Sequence, residues 1–297
     1  MKKFLILLVV TFLLFGSFST FVLAEKKITV GAKNFTEQYV LGNMIALLLE
    51  ANGFTVEEKF GTGSAITREG LVSGQTDIYP EYTGTASLVY LKHEEVITDP
   101  AVLYDKVKKE DLENGIVWLD RSNINNTYAM AIKQEQIEEV GTTLSDMADY
   151  VNNYPGNLIF GINHEFNERA DGFWAMAKHY NMDAKEEDIK IMDTGLAYEA
   201  LDRNQIDITM VFATDGKIKK YDLYVFKDDK QFFPVYNICV NIRKNTLDKY
   251  PEIREILKPI SELDDVTMQK LNYQVDATGL PARLVAKNFL REKGYIK

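Results

Sequence analysis

The chain has 297 residues, 44 acidic and 34 basic, with a net charge of −10 and a hydrophobic fraction of 46%. That length builds one or two domains with substantial cores, and an acidic chain without a basic stripe excludes nucleic acid as a partner. The single cysteine, Cys239, excludes an internal disulfide, so stability must come from packing.

Lys2 and Lys3 precede the apolar run Phe4–Phe15, and Val22-Leu23-Ala24 offers a cleavage site before Glu25. This predicts a secretory signal over residues 1–24. An uncleaved membrane anchor is the alternative, because about 20 apolar residues span a bilayer. No cysteine stands at the cut to carry a lipid. Export to a periplasm, or to the outer face of the cytoplasmic membrane, is expected, leaving 273 residues with a net charge of −12.

Ile28–Ala32 reads as a short strand that turns through Lys33–Glu37 into a helix, where Leu41, Met44, Ile45 and Leu48 repeat at helical spacing. A strand at Val56–Phe60 follows, then Gly61-Thr62-Gly63-Ser64 opens a helix that ends near Ser73. These glycines complete neither a dinucleotide fingerprint nor a P-loop. The next strand, at Ile78, ends on Tyr79-Pro80-Glu81-Tyr82-Thr83-Gly84-Thr85. Strands alternating with helices predict parallel sheets covered by helices. A helix over Ala101–Asn114 and a strand over Ile116–Leu119 complete the first unit, and Asn125–Tyr128 crosses into a second.

The second unit repeats the grammar: strand Leu158–Ile162, helix Glu168–Tyr180, strand Ile189–Met192, helix Leu196–Arg203, strand Ile206–Phe212. Asn204-Gln205-Ile206-Asp207-Ile208 matches Gly74-Gln75-Thr76-Asp77-Ile78, and Phe212 follows its Asp by the same interval as Tyr82. Gln231–Asn237 returns to a strand at Ile238–Ile242, where Cys239 reads as a small buried hydrophobe. Helices near Tyr250–Leu257, Val266–Tyr273 and Pro281–Lys293 are expected to pack back on the first unit. The expected division is residues 25–127 with 237–297 as lobe 1 and residues 128–236 as lobe 2, with a cleft between.

Catalysis finds little support. His93, His164 and His179 form no metal-ligand spacing, no Gly-x-Ser-x-Gly elbow occurs, and no cofactor or metal is implied. Glu37, Glu81 and Asp215 are the candidates for an acid/base pair if the scaffold were a small-molecule lyase. Binding fits better. Tyr82, Tyr128, Phe212 and Tyr236 each stand at a strand end or crossing, which directs them at the cleft. Aromatic faces suit a quaternary ammonium, which has no N–H to donate; each face contributes about 0.5–1 kcal/mol exposed and roughly 2 when desolvated. Lys33 lies at a strand-to-helix turn that favours anions, Arg169 at the expected start of a helix offers a fork for a carboxylate, and Thr85 offers a hydroxyl. Together they predict a zwitterion with a quaternary nitrogen at one end and a carboxylate at the other.

Gly31-Ala32-Lys33-Asn34-Phe35-Thr36-Glu37-Gln38, Tyr79–Thr85, Asn126-Thr127-Tyr128-Ala129, Thr214-Asp215-Gly216-Lys217-Ile218 and Asp228–Pro234 resemble the glycine betaine/choline/proline betaine-binding proteins of osmoprotectant ABC importers. The resemblance spans essentially the whole chain after the signal. It implies an α/β, bilobal type II periplasmic-binding-protein fold, two lobes joined by two crossing segments. It also implies a monomer that captures glycine betaine or proline betaine and serves membrane permease subunits. In that family the cage has four tyrosines; Tyr82, Tyr128 and Tyr236 match three, and Phe212 departs from the fourth by lacking the hydroxyl. Lys33, Thr85 and Arg169 resemble the carboxylate-binding set, whereas choline-preferring relatives carry a neutral residue and an acid at the first two places. Choline or carnitine is the alternative ligand.

Overall fold

The computed structural model describes residues 26–169 and 171–297; the expected export segment lies outside the described residues. Two five-stranded sheets organise the chain. In the first, β1 (Lys26–Lys33) pairs in parallel with β2 (Phe54–Thr62) and β3 (Ile78–Tyr82). The late strand β10 (Ile238–Arg243) then inserts antiparallel between β3 and β4 (Ile116–Trp118). The second sheet orders β7 (Ile189–Ile191), β6 (Phe160–Ile162), β8 (Ile208–Phe212), β5 (Tyr128–Lys133) and β9 (Leu223–Val225). The fold is bilobal and mixed α/β.

The two sheets match place for place, with β3 and β8 both central. The Asp before each does the same work: Asp77 Oδ2 accepts the Thr29 N–H at 2.9 Å, and Asp207 Oδ2 accepts the Ile159 N–H at 2.8 Å. Each carboxylate thereby ties the start of one strand to its neighbour. The match extends upstream into α2 (Ser64–Val72) and its counterpart Thr194–Asp202, which end before the two Asp residues at the same interval. Both central strands consequently end at the same edge, with Tyr82 and Phe212 as their last residues.

Helix α1 (Thr36–Ala51) carries the core of the first half. Leu41, Met44, Ile45 and Leu48 are each at most 2% exposed, worth about 1.5–3 kcal/mol apiece by transfer. Cys239 is fully buried, and burial pushes its thiol up out of reach of ionisation. Among the described residues no helix is long and apolar enough to cross a membrane.

Two expectations are corrected. The single helix over Glu168–Tyr180 is two, α3 (His164–Glu168) and α4 (Phe173–His179), so Arg169 ends a helix with extended backbone rather than starting one. The break is set by close approach: a Cβ on Gly172 would lie 2.0 Å from the Phe166 carbonyl oxygen. The expected helix near Tyr250–Leu257 is also broken, the described one there running only over Ile253–Ile256. The tail helices pack back on α1 of the first half, and one of them also reaches the second half. Helix α5 (Ala282–Glu292) packs on α1, with Arg283 holding Glu50 at 2.8 Å. The preceding helix Asp265–Asp276 reaches across, donating from Gln269 and Asn272 to the carbonyls of Ala213 and Thr214 at 3.1 and 2.9 Å.

Candidate functional site

The segments that pass between the sheets bridge each other at Asn125 and Asn237. Asn125 Oδ1 accepts the Tyr236 N–H at 2.7 Å, and the Tyr236 carbonyl accepts from Asn126 N–H at 3.1 Å. These bonds place Tyr236 beside Tyr128, the first residue of β5, which in turn stands opposite Phe212 in register. Gly84 completes the arrangement. Any Cβ there would lie 2.7 Å from the Tyr236 ring, so only glycine lets the ring lie against the turn after β3.

A cleft of about 790 Å³ lies between the halves, and Lys33, Tyr82, Thr85, Tyr128, Arg169, Phe212 and Tyr236 all line it. The rings run in a chain from one half to the other. Tyr82 lies 6.2 Å from Phe35, Phe35 5.1 Å from Phe212, Phe212 5.0 Å from Tyr128, and Tyr128 meets Tyr236 edge-on at 5.6 Å. Burial pushes the hydroxyls of Tyr82, Tyr128 and Tyr236 up, so each stays a neutral donor. Phe35, absent from the expected set, touches rings from both halves and lines the same cleft. It lies inside the Lys33–Glu37 turn, where its position before a helix did not mark it as a site residue.

Both expected cations are at the cleft, and both come with carboxylates. Lys33 Nζ lies 2.6 Å from Glu81 Oε1 and 5.1 Å from the centre of the Tyr82 ring. Glu81 is fully buried and also accepts from the Tyr79 hydroxyl and the Tyr82 N–H, each at 2.7 Å. Arg169 makes a two-pronged pair with Asp171, Nε to Oδ1 and Nη2 to Oδ2 both at 2.7 Å, and reaches Glu165 at 3.2 Å. Its guanidinium stacks 5.2 Å from the centre of Tyr128, and the Tyr236 hydroxyl donates to the same Asp171. Asp171 thus fixes two of the rings at once. Nothing local in the sequence signalled it.

Two further carboxylates lie at the site, Asp215 in the cleft lining and Glu37 buried behind it. Glu37, in the first turn of α1, is 1% exposed and accepts four bonds. Tyr82 and Asn126 donate to Oε1 at 2.8 and 2.5 Å, and Thr214 and Asn272 donate to Oε2 at 2.5 and 3.2 Å. Burial pushes its carboxyl up against the pull of these donors. Asp215, at the cleft beyond Phe212, accepts the Tyr198 hydroxyl at 2.6 Å and the Phe212 N–H at 3.1 Å. Burial carries its carboxyl from 3.8 to about 7.

A bilobal fold of strand-helix units, with aromatic side chains from both halves lining a cleft, defines a solute receptor of the periplasmic-binding class. The family described as the substrate binding domain of ABC-type glycine betaine transport system matches residues 26–292, and the chain belongs to it. It is 39% identical to a glycine-betaine-binding protein of Pseudomonas aeruginosa over 93% of this chain and 91% of that one. It is also 37% identical, over 91% of its length, to a protein of Helicobacter pylori named ergothioneine transport permease/ergothioneine binding protein, of which it spans 48%. The crystal structure of a glycine betaine/carnitine/choline ABC transporter protein is similar over 91% of this chain and 100% of that one, with a TM-score of 0.73 and 28% identity.

Proposed function

We propose that the protein is the extracytoplasmic receptor of an ABC importer, capturing glycine betaine or proline betaine in an aromatic cage between its lobes and presenting it, as a monomer, to membrane permease subunits. The observation that carries this is the convergence of Tyr82, Phe35, Phe212, Tyr128 and Tyr236 on one cleft, each within 6.2 Å of the next. A trimethylammonium group has diffuse charge and no donor, and ring faces meet it through their quadrupoles, an attraction that strengthens when the site is desolvated. Lobes that close on it do so because the closed form binds it better.

The carboxylate end falls to Lys33, Thr85 and Arg169. An ammonium has three donors, of which Glu81 takes one, and a guanidinium five, of which Asp171 and Glu165 take three. Each cation is already neutralised by its own acid. Discrimination against choline therefore rests on hydrogen bonds to the ligand's carboxylate rather than on net positive charge. Such a charge-assisted bond is worth about 1.5–3 kcal/mol, or roughly 10- to 150-fold in affinity.

A larger betaine is the second reading. The cleft continues past Phe212 to Tyr198, Asp193, Thr194 and Asp215, and the relative named for ergothioneine is nearly as similar as the one named for glycine betaine. Calorimetric titration of the purified protein, freed of carried-over ligand, with glycine betaine, proline betaine, ergothioneine, choline and carnitine separates these readings. Glycine or proline betaine binding tightest, with Lys33→Gln losing about tenfold or more for betaines but not for choline, is the expected result. Tightest binding of choline, unchanged by Lys33→Gln, overturns the assignment of the carboxylate end.

A further inference from the structure

Glu37 sits where elements of both halves meet. Its four donors come from the end of β3 (Tyr82), the outgoing crossing (Asn126), the loop after β8 in the second half (Thr214) and the helix Asp265–Asp276 (Asn272). All four are neutral, and among the described residues no cation pairs with this carboxylate. A buried carboxylate without a counter-charge is tolerable only while its oxygens stay hydrogen-bonded. Thr214 lies two residues beyond the cage ring Phe212, and Tyr82 is itself a cage ring.

We propose that Glu37 and Thr214 form an internal latch that couples ring position in one lobe to closure of the other; this rests on the receptor reading above. When the lobes part, the Thr214 hydroxyl leaves Glu37 Oε2, and Asn272, which donates to both Glu37 Oε2 and the Thr214 carbonyl, releases one of the two. When they close, that bond reforms at 2.5 Å while Oε1 holds the Tyr82 hydroxyl in place for the ligand. Glu37 touches no ligand in this scheme. It is a positioning residue, and it makes the closed state cheaper to reach because the loop after Phe212 satisfies a charge that is otherwise short of donors. A second bond across the cleft, from Ser64 Oγ on α2 to Glu165 Oε2 on α3 at 3.1 Å, is exposed to solvent at its acid and carries less of the closure.

The test uses Thr214→Val, which is nearly isosteric and removes only the hydroxyl, Thr214→Ser, which restores it, and Glu37→Gln, which turns one acceptor into a donor facing donors. Glycine betaine affinity is measured by calorimetry, and the unliganded radius of gyration by small-angle scattering. Thr214→Val is expected to weaken binding about 10-fold or more and to expand the unliganded protein, with Thr214→Ser recovering both. Glu37→Gln is expected to weaken binding at least as much, and adding Thr214→Val to it to cost little more, because the two act through one bond. Additive losses, or a Thr214→Val protein that binds and scatters like the parent, overturn the latch. A parent protein that binds no betaine sinks the receptor reading instead, and the latch is then judged on unliganded scattering alone.

Discussion

Replacing Asp171 by alanine tests how the proposed cage is held, as distinct from what it holds. Asp171 is 2% exposed and accepts both prongs of Arg169 at 2.7 Å together with the Tyr236 hydroxyl. The Arg169 side chain is 5% exposed, and its remaining acid, Glu165, is 38% exposed at 3.2 Å. Removing Asp171 leaves a guanidinium stranded under the Tyr128 ring, and breaking a buried pair in this one-sided way costs about 3–5 kcal/mol. The lost Tyr236 bond overlaps with that figure rather than adding to it. At about 2–4 °C per kcal/mol for a chain of this size, the melting temperature should fall by roughly 6–20 °C. Because Tyr128 and Tyr236 are then free to leave their edge-on contact, glycine betaine affinity should fall with it. Thermal unfolding of Asp171→Ala with and without ligand measures both effects. The double change Arg169→Met, Asp171→Ala should recover part of the lost stability, since it removes the stranded charge as well. A single variant that melts within about 2 °C of the parent refutes the claim that this pair is buried and structural.

Two other outcomes follow from single groups. Asp215 has its carboxyl raised from 3.8 to about 7, first by burial. The folded state therefore holds a proton that the unfolded chain releases, so this group's contribution is fully present below about pH 4 and is lost as pH rises to 7. Asp215→Asn keeps an acceptor for Tyr198 and Phe212, so the melting temperature of the parent relative to this variant should fall between pH 4.5 and 8; a difference that does not change with pH refutes the assignment. Gly172→Ala places a methyl 2.0 Å from the Phe166 carbonyl oxygen and 2.9 Å from that of Arg169. It should force the turn between α3 and α4 open and weaken both stability and betaine binding, which a melting curve and a titration check; a parent-like protein would show that the turn has slack.

The parts of the site that sequence reasoning reached are those defined by strand ends. Tyr82 and Phe212 follow matched Asp residues by the same interval, and those Asp residues perform the same backbone tie in the two halves. Chain direction and a local turn suffice to aim such rings at a cleft. Arg169 shows the opposite case. Helical spacing runs unbroken through Phe173, Met176 and Tyr180, and an isolated glycine inside such a pattern is ordinarily tolerated. The backbone carbonyls of Phe166 and Arg169 crowd Gly172 at the break, a contact with no local signature. Lys33 and Glu81 are 48 residues apart, so that pairing was invisible until the sheet was assembled, whereas Glu165 and Asp171, the acids of Arg169, are sequence neighbours whose contact depends on the turn at Arg169.

That difference changes the chemistry of recognition. Read from sequence, Lys33 and Arg169 are two positive charges that attract a carboxylate and repel choline. In the folded protein each is bonded to an acid at 2.6–2.7 Å, so the field either presents to a ligand is largely cancelled. What survives cancellation is direction: donors held by Glu81 and Asp171, and rings clamped by the same Asp171 and by Glu37. A zwitterion that fits those donors gains a charge-assisted bond, whereas a cation alone pays little for being near them. On the proposed betaine reading, selectivity in this cleft is a matter of geometry, and loosening either clamp should erode discrimination between betaine and choline even where both still bind.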